Sequence, residues 1–234
     1  MPTPSPRPVD AVLFDFHGTL AQSEPAERRV SLAAAACGVL LDIPRLMRLA
    51  VAVRDAGLAG GFGCPPSVPA SVVRAWENRD LSAEDHRAAY VGIADTVHSG
   101  IAGLSEAMYD RLVDPDGWVA YPDAVPTLQA LRDRGIPTAL VSNIGFDVRP
   151  VAKQLGFADL IDTWVLSYEV GVCKPDPTIF RHACAQLGVS PQRSLMVGDT
   201  AADAGAGAAG CTVLVLPASP PGALHGLGGV VRLV

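Results

Sequence analysis

Four short stretches of the 234-residue chain hold side chains that could do chemistry together. An apolar run over 9–14 ends on Asp15, and His17, Gly18 and Thr19 follow it in VLFDFHGTL. A second apolar run leads into Ser142 and Asn143. Lys174 stands in GVCKPDPTIF, and Asp199 and Asp203 stand in VGDTAADAGAGAAG. Phosphoryl transfer asks for an oxygen nucleophile, neutralisation of phosphate charge, and positioning, and this set contains the groups for each. Asp15 is the candidate nucleophile, since a carboxylate can form a covalent intermediate. Lys174 is one of two lysines in a chain that otherwise uses arginine as its cation, and a compact ammonium suits a fixed positive charge beside reacting oxygens. Asp203 lies four residues after Asp199, hence on the same face if the intervening turn is helical. Singly, each residue has a plainer reading as a turn residue, a helix cap or a solvated lysine. Only the set gives them weight.

The elements around these residues explain how they could meet. Short apolar strands over 9–14, 137–141, 163–166, 194–197 and 212–216 alternate with helices of about ten residues, and 230–233 would add one more strand. The intervening helices fall at 122–134, 148–155, 176–187 and 201–209. This alternation predicts an α/β fold with a parallel, doubly wound sheet. In such a sheet the ligand sits beyond the carboxyl ends of the strands. Asp15, Ser142, Lys174 and Asp199 all fall at strand ends or just after them, so distant residues collapse onto one edge.

The stretch 21–117 differs. Helices are expected at 24–37, 44–56, 68–79, 83–97 and 104–112, with Ser82 and Asp85 as a helix start and a loop at 57–69 rich in glycine and proline. No strand-like alternation is evident, so it reads as an all-helical insert. Residues 1–8 read as an extended tail. The division expected is a catalytic core, 1–20 and 118–234, around a helical cap, 21–117.

These four stretches resemble, in order and spacing, the four motifs of the haloacid-dehalogenase superfamily, and the insert falls where that family places a helical cap. The resemblance covers roughly 9–20 and 120–217. It implies a Rossmann-like three-layer core and a hydrolase that uses Mg2+. It further implies hydrolysis of a small-molecule phosphate monoester through an aspartyl-phosphate on Asp15. The implied metal ligands are Asp15, the backbone carbonyl of His17, and Asp199, with Asp203 as a further ligand or acting through water. Ser142, Asn143 and Lys174 would hold the phosphoryl group, and Thr19 would support the loop.

Position 17 departs from the pattern. Family phosphatases usually carry a second aspartate there, which protonates the leaving alkoxide and then activates water. With His17, three readings stand open. Imidazole could replace the carboxylic acid, since it is a common general acid/base. The chemistry could instead be that of a 2-haloacid dehalogenase, where halide needs no proton. Finally, the protein could be a weakly catalytic or non-catalytic binder of a phosphorylated ligand or partner.

Composition limits the remaining possibilities. The chain is 49% hydrophobic and 18% charged, enough to bury a core. Its net charge is −6, and no basic run stands out, which argues against a nucleic-acid partner. No apolar run is long enough to span a bilayer. Five scattered cysteines without metal-ligand spacing, and a start without a signal-peptide core, fit a cytoplasmic protein. His86, His98, His182 and His225, and Trp76, Trp118 and Trp164, read as structural or surface residues. Arg45, Arg48, Arg54 and Arg74 read as solvated helix residues, any one of which could meet a substrate anion. GAGAAG reads as close helix packing.

Overall fold

The computed structural model describes residues 9–58, 67–217, 219–220 and 222–234. The tail expected over 1–8, and much of the loop expected over 57–69, lie outside the described residues. Strand β1 (Ala11–Phe14) is buried along its whole length. An apolar run without polar alternation suits a strand covered on both faces. After β2 (Ala21–Ser23) come five helices: α1 (Ala26–Ala36), α2 (Ile43–Asp55), α3 (Val73–Asn78), α4 (Ala83–Ala94) and α5 (Leu104–Val113). The chain returns through β3 (Trp118–Ala120) and α6 (Ala124–Asp133) to β4 (Thr138–Ser142). There follow α7 (Arg149–Gln154), β5 (Thr163–Leu166), α8 (Ser167–Val170) and α9 (Pro177–Leu187). Then come β6 (Ser194–Gly198), α10 (Ala201–Ala204), α11 (Ala206–Ala209) and β7 (Thr212–Val215).

The main sheet has the order β5-β4-β1-β6-β7, all parallel, with β1 at its centre. Side chains alternate across it. Val12 and Phe14 join one buried cluster with Leu140, Leu166 and Val197. Leu13 joins another on the opposite face with Val165, Ile179, Phe180 and Met196. A third cluster, formed by Val30, Ala33, Leu49, Val53, Ile93 and Met108, holds the helical insert together. The expected α/β fold with a parallel sheet and helical insert is therefore present. Among the described residues no helix is long and apolar enough to cross a membrane.

Several details correct the sequence reading. Residues 21–23 are a strand: Ala21, Gln22 and Ser23 pair antiparallel with Ala120, Val119 and Trp118. Three residues are too few to show alternation, and the partner lies almost a hundred residues away. The helix expected over 68–79 begins later, because a 3-10 turn at Ala70–Val72 precedes α3. The helix expected over 201–209 breaks at Gly205, where an added Cβ would lie 2.5 Å from the Pro175 carbonyl oxygen. GAGAAG thus serves close packing, against the turn that carries Lys174. The strand expected over 230–233 is a 3-10 helix, Leu227–Arg232. Leu227 and Val230, three residues apart, both point into the core there, which is the period of a 3-10 turn.

The two chain segments joining insert and core are tied by charge. The Glu24 amide donates to the Gly117 carbonyl at 2.8 Å. The Glu24 carboxylate is almost fully buried and receives a two-point contact from Arg111, Nε to Oε1 at 2.9 Å and Nη2 to Oε2 at 2.8 Å. Arg28 adds a third bond at 2.9 Å, from a side chain that is largely in solvent. Removing one partner of a buried pair leaves an uncompensated charge. Arg111→Met is expected to lower the unfolding free energy in urea by about 3 kcal/mol, and a change below about 0.5 kcal/mol would show that the pair ties nothing.

Candidate active site

The loop after β1 is bent so that Asp15 stays at the sheet edge. Its amide donates to Val197 of β6 at 2.9 Å, which continues the strand pairing by one residue. The Phe16 carbonyl then accepts from Leu20 at 2.9 Å and Ala21 at 3.0 Å, closing the loop tightly. Gly18 has φ +90°, and a Cβ there would lie 2.2 Å from an Asp199 oxygen. Glycine is therefore required twice over, for the left-handed backbone and for the approach of β1's loop to β6's. Thr19 is fully buried, and its hydroxyl donates to Asp199 Oδ1 at 3.3 Å. It holds a carboxylate.

Lys174 reaches the same point from the loop before α9. Its Nζ donates to Asp15 Oδ1 at 2.6 Å and to Asp203 Oδ1 at 2.7 Å, with 3% of the side chain exposed. Asn143 fixes the lysine's backbone: its Nδ2 donates to the Lys174 carbonyl at 2.8 Å, and its Oδ1 accepts from the Lys174 amide at 2.7 Å. Asp203 is held by the start of α10. Its Oδ2 accepts from Thr200 Oγ1 at 2.7 Å, the Thr200 amide at 2.9 Å and the Asp199 amide at 3.2 Å. Gly198 makes room for it, since a Cβ there would lie 2.2 Å from Asp203 Cγ. Ser142, the last residue of β4, is buried at the same sheet edge.

The electrostatics follow from burial. Burial and the carboxylates of Asp203 and Asp199 push Asp15 up to about 7, against the pull of Lys174. Asp199 is raised by burial and by Asp203. Asp203 is also pushed up by burial, but Lys174 and Thr200 outweigh that and hold it below the usual carboxylate range. Lys174 loses by burial and gains more from its two carboxylates, so it stays charged.

Oxygens of Asp15, Asp199 and Asp203 lie within 4.8 Å of one another. Hard carboxylate oxygens are the ligands Mg2+ prefers. Three carboxylates against one ammonium leave two negative charges, which a divalent cation would neutralise. Asp15 and Asp199 have raised pKa values that a cation would relieve. The cluster therefore fits such an ion. Asp203 is already engaged by Lys174 and Thr200, so Asp15 and Asp199 are the freer donors.

His17 faces away from this charge balance. Burial, then the charge of Arg29, push its imidazole down to about 4, while the neighbouring Gln22 pulls weakly the other way. It is neutral at ordinary pH. Its ring stands edge-on to Trp118, centroids 5.2 Å apart, and its Nε2 has no partner among the described residues. From Trp118 the wall runs to Phe146 (6.4 Å) and on to His86 (5.2 Å). His86 in turn packs on Tyr90 (4.6 Å) and Tyr109 (5.6 Å). Aromatic rings thus link the loop of Asp15 to helices α4 and α5 of the insert.

The model of the haloacid dehalogenase-like hydrolase family matches residues 9–210. The chain belongs to that family. It is 30% identical over 217 residues to the phosphoglycolate phosphatase of Chromobacterium violaceum, covering 89% of this chain and 85% of that one. It is 39% identical over 93 residues to (S)-2-haloacid dehalogenase 1 of a Pseudomonas species, covering 39% of this chain and 41% of that enzyme. The crystal structure of a dehalogenase superposes over 97% of both chains with a TM-score of 0.67 at 22% identity, a likeness of fold. The chain spans less than half the length of several curated relatives it matches.

The sequence reading placed Asp15, Ser142, Lys174 and Asp199 at one sheet edge; the structure puts them there, with Thr19, Asn143 and Asp203 beside them, while the His17 ring packs against Trp118. Asn143 bonds to Lys174 and Thr19 to Asp199, so both act on other site residues in this structure. Of the cap arginines singled out, Arg48, Arg54 and Arg74 are exposed and Arg45 is half-buried. Arg29 was passed over and is the buried one. Its signal was spacing: it lies three residues after Ala26 and four before Ala33, on the buried face of α1.

Because Asp15 must lose its proton to ligate a cation, and its pKa lies at about 7, the proton competes below that pH. The apparent Mg2+ affinity in calorimetric titration is expected to fall about tenfold from pH 8 to pH 6. A flat profile would show that Asp15 is not a ligand.

Proposed function

We propose that this chain hydrolyses phosphate monoesters of small molecules in the cytoplasm, with Mg2+ and with Asp15 as nucleophile. The observation that carries the reading is the buried Asp15 carboxylate, held by the Lys174 ammonium at 2.6 Å beside two further carboxylates. Lys174 binds Oδ1 of Asp15, which leaves Oδ2 as the oxygen to attack phosphorus. The P–O bond to the leaving alcohol breaks as the aspartyl-phosphate forms, and water then releases phosphate and regenerates Asp15. Lys174, and a hydroxyl bond from Ser142, stabilise the phosphoryl oxygens. Asn143 positions Lys174, and Thr19 positions Asp199. Mg2+, when bound by Asp15, Asp199 and the His17 carbonyl, with Asp203 acting through water, would neutralise phosphate charge. The phosphatase relative of Chromobacterium violaceum supports this reading over most of the chain.

His17 limits the proton transfers. A neutral imidazole can accept a proton from the attacking water, but it is a poor donor to a departing alkoxide. Esters whose leaving group needs no proton are therefore favoured over alkyl esters. The same feature supports a second reading, 2-haloacid dehalogenation, in which halide leaves without a proton. The similarity to (S)-2-haloacid dehalogenase 1 is in line with it.

Asp15→Asn is expected to reduce Mg2+-dependent phosphate release from p-nitrophenyl phosphate by at least about 1000-fold. Wild type inactive across a panel of esters would sink the phosphatase reading, and chloride release from 2-chloropropionate would establish the second. His17→Asp is expected to raise kcat on alkyl phosphates by about 100-fold with a far smaller effect on p-nitrophenyl phosphate. A fall on both substrates would show that the imidazole itself handles the proton.

A further inference from the structure

One surface of the insert is apolar where water would reach it. Large apolar side chains scattered singly on a surface are ordinary. Four of them within 40–51 are not: Leu40 is 91% exposed, Ile43 76%, Met47 44% and Val51 45%. Ile43, Met47 and Val51 stand four residues apart on α2, so they form one outward stripe. Leu40 extends it from the turn before the helix. The opposite side of α2 is apolar as well, since Leu49, Ala50 and Val53 are buried in one cluster with Val30, Ala33 and Ala34 of α1. Among the described elements, α1 is the one that α2 packs on extensively. A helix that is apolar on both sides and covered on one lacks a neighbour on the other.

Area and charge say what kind of neighbour fits. The four side chains leave on the order of 400 Å² of apolar surface in water, a size at which patches mark interaction sites. Pro44, Asp42, Arg48 and Arg54 are exposed around them. With these the face comes to roughly the 800 Å² per partner of a standard interface. Asp42 stands at the start of the stripe and Arg54 at its end. Asp42 Oδ1 accepts from the Arg45 amide at 2.8 Å, capping the helix, and Oδ2 is left for a partner. Arg54 reaches Glu27 through Nη1 and keeps Nη2. At about 1.5 Å of rise per residue, Met47 lies about 8 Å from Asp42 and about 10 Å from Arg54, close to the midpoint.

We propose that this face is an isologous contact between two copies of the chain, with α2 packed antiparallel on α2 about a two-fold axis near Met47. Ile43 of each copy then meets Val51 of the other, and Leu40 lies over the last turn of the other helix. Asp42 of each copy comes within about 3 Å, along the axis, of Arg54 of the other. A parallel arrangement would set Asp42 beside Asp42 and Arg54 beside Arg54. Unlike charges therefore fix the direction, and the apolar stripe supplies the driving force. Arg48 flanks the stripe near the axis, where its long side chain extends into water. None of these residues belongs to the candidate active site, so the contact does not depend on the reaction performed there.

Sedimentation velocity on the full chain is expected to show the mass of two copies, dissociating on the order of 10 μM. Ile43→Lys and Met47→Glu replace exposed side chains, so circular dichroism should report an unchanged fold. Each is expected to weaken association at least about 100-fold, because it buries a charge in the contact. Asp42→Asn keeps a good helix cap and removes the charge. It is expected to weaken association about fivefold at 0.15 M salt. Met47→Cys, oxidised with diamide, is expected to give a disulfide-linked dimer that wild type does not give, since an axis near position 47 brings that thiol to its own copy. Wild type sedimenting as a monomer at about 100 μM would overturn the proposal and leave the face to a partner of another kind. A dimer that Ile43→Lys and Met47→Glu leave intact would overturn it too, by placing the contact elsewhere. Should either variant lose its helical signal, the Met47→Cys crosslink decides.

Discussion

Everything at the sheet edge depends on one ammonium buried between carboxylates. Removing an ion from water is expensive, and a buried charge persists only where opposite charge and hydrogen bonds compensate it. Lys174 meets that condition through Asp15 and Asp203, and they meet it through Lys174. The surrounding backbone is built to keep this arrangement. Asn143 grips the lysine's own peptide group, Thr200 holds the second oxygen of Asp203, and Gly198 and Gly205 let the three loops close on one another. The arrangement is deliberately incomplete, since its carboxylates outnumber its ammonium and Asp15 retains a proton more readily than an ordinary aspartate. A site with surplus negative charge in a dry setting binds a cation, and with it an anion, far more strongly than the same groups would in water.

Most of the core was legible in the sequence because its strands are short, apolar and bounded by glycine and proline. The site was legible because its residues sit at strand ends, where a parallel sheet gathers them. The losses have physical reasons too. The β2–β3 pair is three residues long and joins segments far apart, so neither strand carries a local signal. The C-terminal segment has valine and leucine enough for a strand, but Leu227 and Val230 are buried at a spacing of three. Arg29 was invisible as a special residue because arginine on a helix is normally solvated. Only the fold reveals that its turn of α1 faces inward. Thr19 bonds to Asp199 and Asn143 to Lys174, and a sequence cannot say which neighbour a hydroxyl or amide will choose.

The insert and the core are joined by two kinds of contact with different consequences. Glu24, just after β2, and Arg111 of α5 make a charged tie at the base of the insert. The aromatic wall from His17 to Tyr109 makes a softer, apolar seam over the site. Ion pairs are directional and hold a fixed geometry, whereas ring contacts tolerate sliding. The directional contact thus lies at the base of the insert, and the tolerant one between its helices and the loop of Asp15.

The central position of β1 has a consequence for biosynthesis. Its two flanking partners begin at Thr138 and Ser194, and the lysine that compensates Asp15 lies 159 residues further along the chain. The cap helices, by contrast, find most of their neighbours among themselves. On a ribosome the first strand emerges early and waits, apolar and unpaired, while the cap is able to assemble on local contacts. The nascent chain therefore carries this apolar segment unpaired on at least one edge until β6 has followed β4. A chaperone that shields the stretch around Phe14 during that interval would protect Asp15 as well.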